Sequence, residues 1–311
     1  MTQSPVAASL PDLPQIGAAT VTIGVFDGVH LGHRAVLEAT RTAATEQAAR
    51  SVALVFDPHP DEVIRPGTKV PLLAPTAVNM ARIRELGIDH ALPVRFHAEL
   101  RSLTAEAFLA ALSPAIELRS LVMASHSAFG RDRAGTVERM RRVGEARGFE
   151  VVAVAPVEIG GEIVSSTRIR RAIAVGDVAT ARQLGVSPYL EGIVVAGDGR
   201  GRELGFPTAN LRLDYEPAMP ALGIYAGRVS RGGPTGQPAL VSIGTRPTFE
   251  EHGRVVVEAH LLDFDGDLYG TLLGVELAAR LRDELRFEDA SALVDQMRLD
   301  ERAARAVLGT P

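Results

Sequence analysis

An α/β chain is predicted, with a helix-covered parallel sheet first and an antiparallel β-barrel with C-terminal helices after it. Three observations carry this. From residue 18 to about 184, apolar runs little interrupted by charge alternate with helical patterns, as strands buried on both faces require. Beyond Ser187-Pro188 the runs alternate or shorten, and turn clusters such as Gly197-Asp198-Gly199-Arg200-Gly201 and Arg231-Gly232-Gly233-Pro234 separate them, as in a barrel. From Ala290 onward helix formers dominate.

In order, residues 1–14, with three prolines, read as a frayed leader, and the absence of Lys or Arg ahead of its apolar patch argues against a secretory signal. Strands are expected over 18–23, 51–56, 91–96, 119–124 and 149–155, with helices over 34–50, 78–86, 104–111 and 136–147. Ligands of such a sheet collect beyond the carboxyl ends of its strands. The barrel strands fall at 190–196, 223–229, 239–243, 255–263 and 272–281, and two helices follow, 290–297 and 300–308. The expected domains are 15–186 and 187–311, and no internal repeat relates them.

The length of 311 residues suffices for two cores. A 46% apolar and 23% charged composition is that of a soluble globular protein, and a net charge of −5 with mixed signs points to neither a nucleic-acid nor a membrane surface. No apolar run reaches a membrane span. The lack of cysteine excludes disulfides and thiolate chemistry and suits a reducing compartment. A cytoplasmic enzyme is expected; no heptad or apolar stripe indicates an oligomeric state.

Five strings carry chemistry. Gly24-Val25-Phe26-Asp27-Gly28-Val29-His30-Leu31-Gly32-His33 joins an apolar run to a helix-forming stretch. Free N–H groups at such a helix start favour phosphate, His30 and His33 can face one group, and Gly28 and Gly32 allow close main-chain approach. Asp57-Pro58-His59-Pro60 ends the second strand as a stiff loop. Ser165-Ser166-Thr167-Arg168-Ile169-Arg170 opens a helix with hydroxyls that cap it or donate to phosphate, and with Arg168 able to bind phosphate bidentately. In the second half, the run from Gly199 to Asn210 holds Gly199, Gly201, Gly205, Pro207, Thr208 and Asn210. Its glycines and arginines suit polyphosphate, and the oxygens of Thr208 and Asn210 suit Mg²⁺. The run from Val257 to Gly270 follows, with Glu258 on a strand. Asp263, Asp265 and Asp267 are turn formers and not an EF-hand, whose twelfth position would here be Gly274.

The first string resembles the G-x-F-D-x-x-H-x-G-H signature of the nucleotidyltransferase superfamily, whose histidines bind and neutralise ATP phosphates. The next two resemble the F-x-P-H-P loop of flavin adenylyltransferases and the S-S-T-x-I-R element that grips the β- and γ-phosphates. The G-F-P-T-A-N and V-E-x-H-x-L-D-F strings resemble riboflavin kinase. Together, over about residues 18–308, the chain resembles the bifunctional prokaryotic riboflavin kinase/FAD synthetase family. The resemblance implies a Rossmann-like nucleotidyltransferase domain, then a kinase barrel making FMN from riboflavin and ATP, with FAD and pyrophosphate made from FMN and ATP by the first half. It implies His30 and His33 as catalytic, with Gly24, Phe26, Asp27, Gly28, Ser165, Ser166, Thr167 and Arg168 around that ATP. Glu258 becomes the base at the riboflavin 5′-hydroxyl, with Thr208 and Asn210 holding Mg²⁺ and Gly199, Gly201, Gly205 and Pro207 around the second ATP. His59, Pro60, His126, Phe129 and Arg133 become flavin-side residues. The stretch 243–249, with Arg246 where asparagine is usual, falls near the flavin.

One stretch departs from the pattern. Ala124-Ser125-His126-Ser127-Ala128-Phe129-Gly130 carries His126 where an amide or carboxylate is usual and Ser127 where an aromatic is usual. A fully buried Phe is worth roughly 1.5–3 kcal/mol, so weaker FMN binding or altered flavin choice is implied. Competing readings are a kinase with a vestigial first half, a flavin-binding regulator or carrier without turnover, and a cytidylyltransferase. The arginines of 139–142 read as a solvated helix face.

Overall fold

The computed structural model describes residues 9–197, 201, 204–231, 236–245 and 255–310. Gly199, Arg246 and the rest of 246–249 lie outside the described residues. The chain divides into two compact bodies, one running to Val70 and again from Ala74 to Ser166, the other holding Pro71–Leu73 and everything from Thr167.

In the first body, β1 (Gly17–Gly24), β2 (Arg50–Asp57), β3 (His90–Arg95), β4 (Ile116–Ala124) and, further on, β7 (Glu150–Val154) form one parallel sheet in the order β3-β2-β1-β4-β7. Alternate residues of β2 serve opposite cores. Val52 and Leu54 pack with Phe108, Leu109 and Met140, while Ala53 and Val55 pack with Leu37, Met80 and Ile83. That two-sided burial is why this strand shows no polar alternation. The first core is built against α5 (Ala105–Leu112) and α6 (Val137–Arg147), the second against α1 (Leu31–Glu46) and α3 (Thr76–Glu85). The predicted strands and these helices are present, with ends shifted by a few residues; α1 stops at Glu46 because β2 already begins at Arg50.

Several short elements were not predicted: α2 (Pro60–Ile64), α4 (Ala98–Ser102), and the two-residue pairs β5 (Ala128–Phe129) with β6 (Gly135–Thr136) and β8 (Glu158–Ile159) with β9 (Glu162–Ile163). At two to five residues none can display a period.

The second body opens with α7, whose range is Ser166–Ala174, and α8 (Val178–Gln183). The barrel strands are β10 (Tyr189–Val195), β11 (Ala209–Arg212), β12 (Gly223–Ser230), β13 (Gln237–Thr245), β14 (Val255–Leu261) and β15 (Leu272–Arg282). They close antiparallel in the order β10-β11-β14-β13-β12-β15, around Leu190, Tyr225, Val241, Val257, Ala259 and Leu277. The final helix is continuous, α9 (Ala290–Leu308), where two helices were expected. Arg298 and Leu299 between them are good helix formers. Gln296 bonds to Asp300 and Arg305 to Glu301 along one face, Asp289 caps the start, and Gly309 at φ 64° ends it. Ala304 and Leu308 seat α9 on the outside of the barrel against Ala226 and Leu240.

Candidate active sites

In the first body the turn between β1 and α1 is tightly determined. Phe26 and Val29 both take left-handed backbone, φ 53° and 48°, which costs about 1–3 kcal/mol per residue and persists only when the surroundings enforce it. Asn79, buried in α3, supplies the enforcement: its Oδ1 accepts the Gly28 N–H at 3.0 Å and its Nδ2 donates to the Ala74 carbonyl at 3.0 Å. Gly28 itself sits at φ 76°. The Asp27 carboxylate is buried and accepts the Ala74 N–H, so it shapes the turn. Ser166 donates from Oγ to the Asp27 carbonyl at 3.4 Å, which brings the third string to the first.

His30 is both N-cap and ring. Its Nδ1 accepts the His33 N–H at 3.3 Å, so the helix start has one fewer free N–H than predicted. A neutral His30 therefore carries its proton on Nε2, free of the capping bond. The two imidazoles stack at 3.6 Å, and Phe26 stands edge-on to His33 at 5.3 Å. Gly24 and Gly32 make room for these rings: a Cβ at Gly24 would lie 3.1 Å from the Phe26 ring, and one at Gly32 would lie 3.2 Å from His30 Cε1. The glycines thus serve internal ring packing as well as access.

His33 Nδ1 is covered and has no hydrogen-bond partner among the described residues. Burial, and then the neighbouring His30, hold the His33 pKa well below the ordinary histidine value.

His59 caps α2 in the same manner, Nδ1 accepting the Asp61 N–H at 3.2 Å, with Pro60 as the first helical residue. His97, which no motif marked, caps α4 through Nδ1 from the Leu100 N–H at 2.9 Å. His30, His59 and His97 therefore follow the carboxyl ends of β1, β2 and β3, neighbours in the sheet. His126 is exposed in the turn after β4, where Ser127 Oγ donates to the Ala124 carbonyl at 2.8 Å. Phe129 is half-buried and packs edge-on against Phe108 at 5.7 Å, and Arg133 is exposed. Ser165 belongs to this body, whereas Thr167 and Arg168 fall in the second.

In the second body, Asn210 and Ser242 both stand opposite Glu258, across β11–β14 and β13–β14. Directly opposed residues share a face, so Asn210, Glu258 and Ser242 form a polar row on the outer wall. Thr208, just ahead of β11, borders two cavities. One, of about 290 Å³, is lined by Glu258, Ser242, His260 and apolar Leu240, Phe287, Leu293 and Met297. The other, of about 730 Å³, is lined by Pro207, Thr208 and the loop of Phe264, Asp265, Gly266, Asp267, Leu268 and Tyr269.

Gly201 also lines the smaller cavity, and a Cβ there would run into the Phe206 carbonyl, whose N–H donates back to the Gly201 carbonyl at 2.8 Å. Gly205 is at φ 84°, a turn that needs glycine. His260, absent from the predicted site, holds the Pro207 carbonyl with Nδ1 at 2.8 Å and lies against Phe206. Its signal was there in the sequence: two residues after Glu258 on one strand, it must share that face. Among the described residues no group of three or more His, Cys, Asp or Glu gathers to hold a metal. The Thr208 hydroxyl and the Asn210 amide oxygen are hard oxygen donors of the kind Mg²⁺ takes.

The model for FAD synthetase matches residues 14–168, and that for riboflavin kinase matches 184–308. A bifunctional riboflavin kinase/FMN adenylyltransferase of Pseudomonas fluorescens is 37% identical, covering 94% of each chain. The chain belongs to the bifunctional riboflavin kinase/FMN adenylyltransferase family. Family members from Listeria monocytogenes (34% identical, covering 92% of this chain and 91% of theirs) and Escherichia coli K12 (34%, covering 97% and 96%) agree. A crystal structure described as a macrolide-efflux protein from Streptococcus pneumoniae superposes with a TM-score of 0.86 at 31% identity, covering 96% of this chain and 97% of that one. Among the described residues no helix is long and apolar enough to cross a membrane.

Proposed function

We propose the following division of labour for a chain that phosphorylates riboflavin to FMN and adenylylates FMN to FAD, releasing pyrophosphate. The barrel performs the first step and the parallel-sheet body the second, with 15–186 and 187–311 as the working halves. The observation that carries the barrel assignment is Thr208 at the junction of two cavities, of which the smaller is lined by Glu258. The cavity with Glu258 and apolar walls suits riboflavin, whose ring needs burial and whose 5′-hydroxyl needs a base. The larger cavity, against Pro207 and Thr208, suits ATP.

Glu258 takes the hydroxyl proton as the oxygen attacks the γ-phosphorus in line and ADP leaves; positioning supplies most of the acceleration. Thr208 and Asn210 would hold Mg²⁺, with water and phosphate oxygens completing its shell; the ion, when bound, offsets the phosphate charge. Gly201, Gly205 and Pro207 shape the turn beside the phosphates, and Gly199 is assigned there by sequence alone. His260 fixes the Pro207 carbonyl and so positions Thr208.

In the first half an FMN phosphate oxygen attacks the α-phosphorus of ATP and pyrophosphate leaves. His30 and His33 face the phosphates, joined by main chain at Gly24, Phe26 and Gly28 and by Ser165, Ser166, Thr167 and Arg168. His59, Pro60, His126, Phe129 and Arg133 lie on the flavin side, where Ser127 gives less apolar cover than an aromatic and raises the FMN concentration needed. Riboflavin, FMN, ATP and FAD are the ligands, no nucleic acid or membrane partner is invoked, and ATP use without cysteine suits the cytoplasm. The test is incubation with riboflavin, ATP and Mg²⁺ and separation of flavins over time. FMN should appear first and FAD after it; no FMN at all would refute the proposal.

A further inference from the structure

The loop that walls the larger barrel cavity is entered through a residue in an unusual conformation. Asp263, just after β14, has left-handed backbone at φ 55°, and Phe264 to Tyr269 behind it line that cavity. Arg305 of α9 grips its carboxylate in a two-pronged fork, Nη1 to Oδ2 at 2.8 Å and Nη2 to Oδ1 at 2.7 Å. The same guanidinium also bonds Glu301, one turn earlier on α9, from Nε at 3.1 Å and Nη2 at 2.8 Å. Arg305 is thus aimed by its own helix, and the Asp263 side chain, 71% exposed, is aimed by Arg305. A pair so solvated contributes little to stability; what it fixes is direction.

Beyond that point the loop is held by its own contacts. Asp267 accepts the Tyr269 N–H at 2.9 Å, Leu268 is buried, and the Arg231 guanidinium stands over the Phe264 ring at 5.2 Å. Asp263 sets the direction in which the chain enters this segment, and so where Phe264 to Asp267 stand against the cavity ahead of the Leu268 anchor. Aspartate tolerates the left-handed region only with a modest preference, so removing the fork frees the residue to return to negative φ.

We propose that Arg305 is a positioning residue for phosphoryl transfer, holding the 264–269 loop, through Asp263, in the place that ATP requires. This rests on the reading that the larger cavity takes ATP. Arg305 does not line either of the two cavities and acts through the loop. Nothing in the sequence strings marked it, because it lies 42 residues from its partner.

The test is steady-state kinase kinetics on the full chain. In Arg305→Ala the KM for ATP should rise about tenfold while kcat and the riboflavin KM stay within about twofold, the signature of a misplaced binding wall. Asp263→Asn should raise the ATP KM in the same direction. Arg305→Lys should recover only part, since an ammonium lacks the planar fork. FAD formation from supplied FMN, run on the same preparations, reports that the chain is folded. Should Arg305→Ala fail to fold, Asp263→Asn and Arg305→Lys are read by the same criterion. An unchanged ATP KM in the folded variants overturns the proposal. A rise confined to the riboflavin KM overturns it as well, and locates the fault in the assignment of the larger cavity.

Discussion

The imidazoles of His30 and His33 lie nearly parallel, 18° between planes and 3.6 Å between centroids, with His30 Nδ1 committed to the His33 N–H. A second positive charge is unwelcome in such a stack. His33 Nδ1, buried and unpartnered among the described residues, has its pKa depressed first by desolvation and then by His30. The folded chain refuses a proton that the unfolded chain accepts at about 6.5. Stability is therefore complete above about pH 6.5 and declines as pH falls toward the depressed folded value. His33→Asn removes the titrating group, so its melting temperature should fall less between about pH 7 and pH 5.5 than that of the unsubstituted chain. Melting curves at the two pH values decide this, and equal losses in both proteins would contradict it.

Glu258 faces Asn210 and Ser242 on one wall of the barrel. Glu258→Gln keeps the shape and removes the proton acceptor. FMN formation should drop by about 10²–10⁴ in kcat, the usual worth of a general base, with little change in either KM. FAD synthesis from supplied FMN should persist. Loss of both activities together would mean that the two sites are not independent.

Asn79 holds the Gly28 N–H and the Ala74 carbonyl inside the body, both at 3.0 Å. In Asn79→Ala both buried groups lose a partner, at about 1–3 kcal/mol each. The strained turn through Phe26 and Val29 then loosens. FAD synthesis should fall more steeply than FMN synthesis, and hydrogen exchange at Gly28 should accelerate. Unaltered exchange at Gly28 would show that the turn is held by something else.

The contrast between Asn79 and His30 explains what the sequence reveals. His30 sits inside a ten-residue string in which every neighbour is informative, so both its place and its chemistry are legible. Asn79 bonds to a residue 51 positions away, and only an amide among Met80, Ile83 and other inward-facing positions of α3 hints at it. The strands were legible because burial on two faces leaves unbroken apolar runs, as in β2, and the barrel because its turns are rich in glycine. The strand β11 has four residues, too few for a pattern, yet it carries Asn210. The Asp27 bond to the Ala74 N–H was not legible, because motif membership says that a residue matters without saying which backbone groups it meets.

Gly197 offers a separate test of the barrel site. A Cβ built on it would collide with the Asn210 side-chain amide, which is itself buried. The main chain at 197 thus lies directly on that amide, and only glycine permits the approach. In Gly197→Ala the Asn210 amide must rotate or β11 must shift against β10. Either movement displaces the amide oxygen that is proposed to bind the metal. FMN formation should then require a higher Mg²⁺ concentration for half-maximal rate, by about tenfold, while the ordered sheet of the first body leaves FAD synthesis intact. Titration of both activities with Mg²⁺ checks it: a parallel shift in the two curves would point to a global effect, and no shift in the kinase curve would remove Asn210 from the metal site.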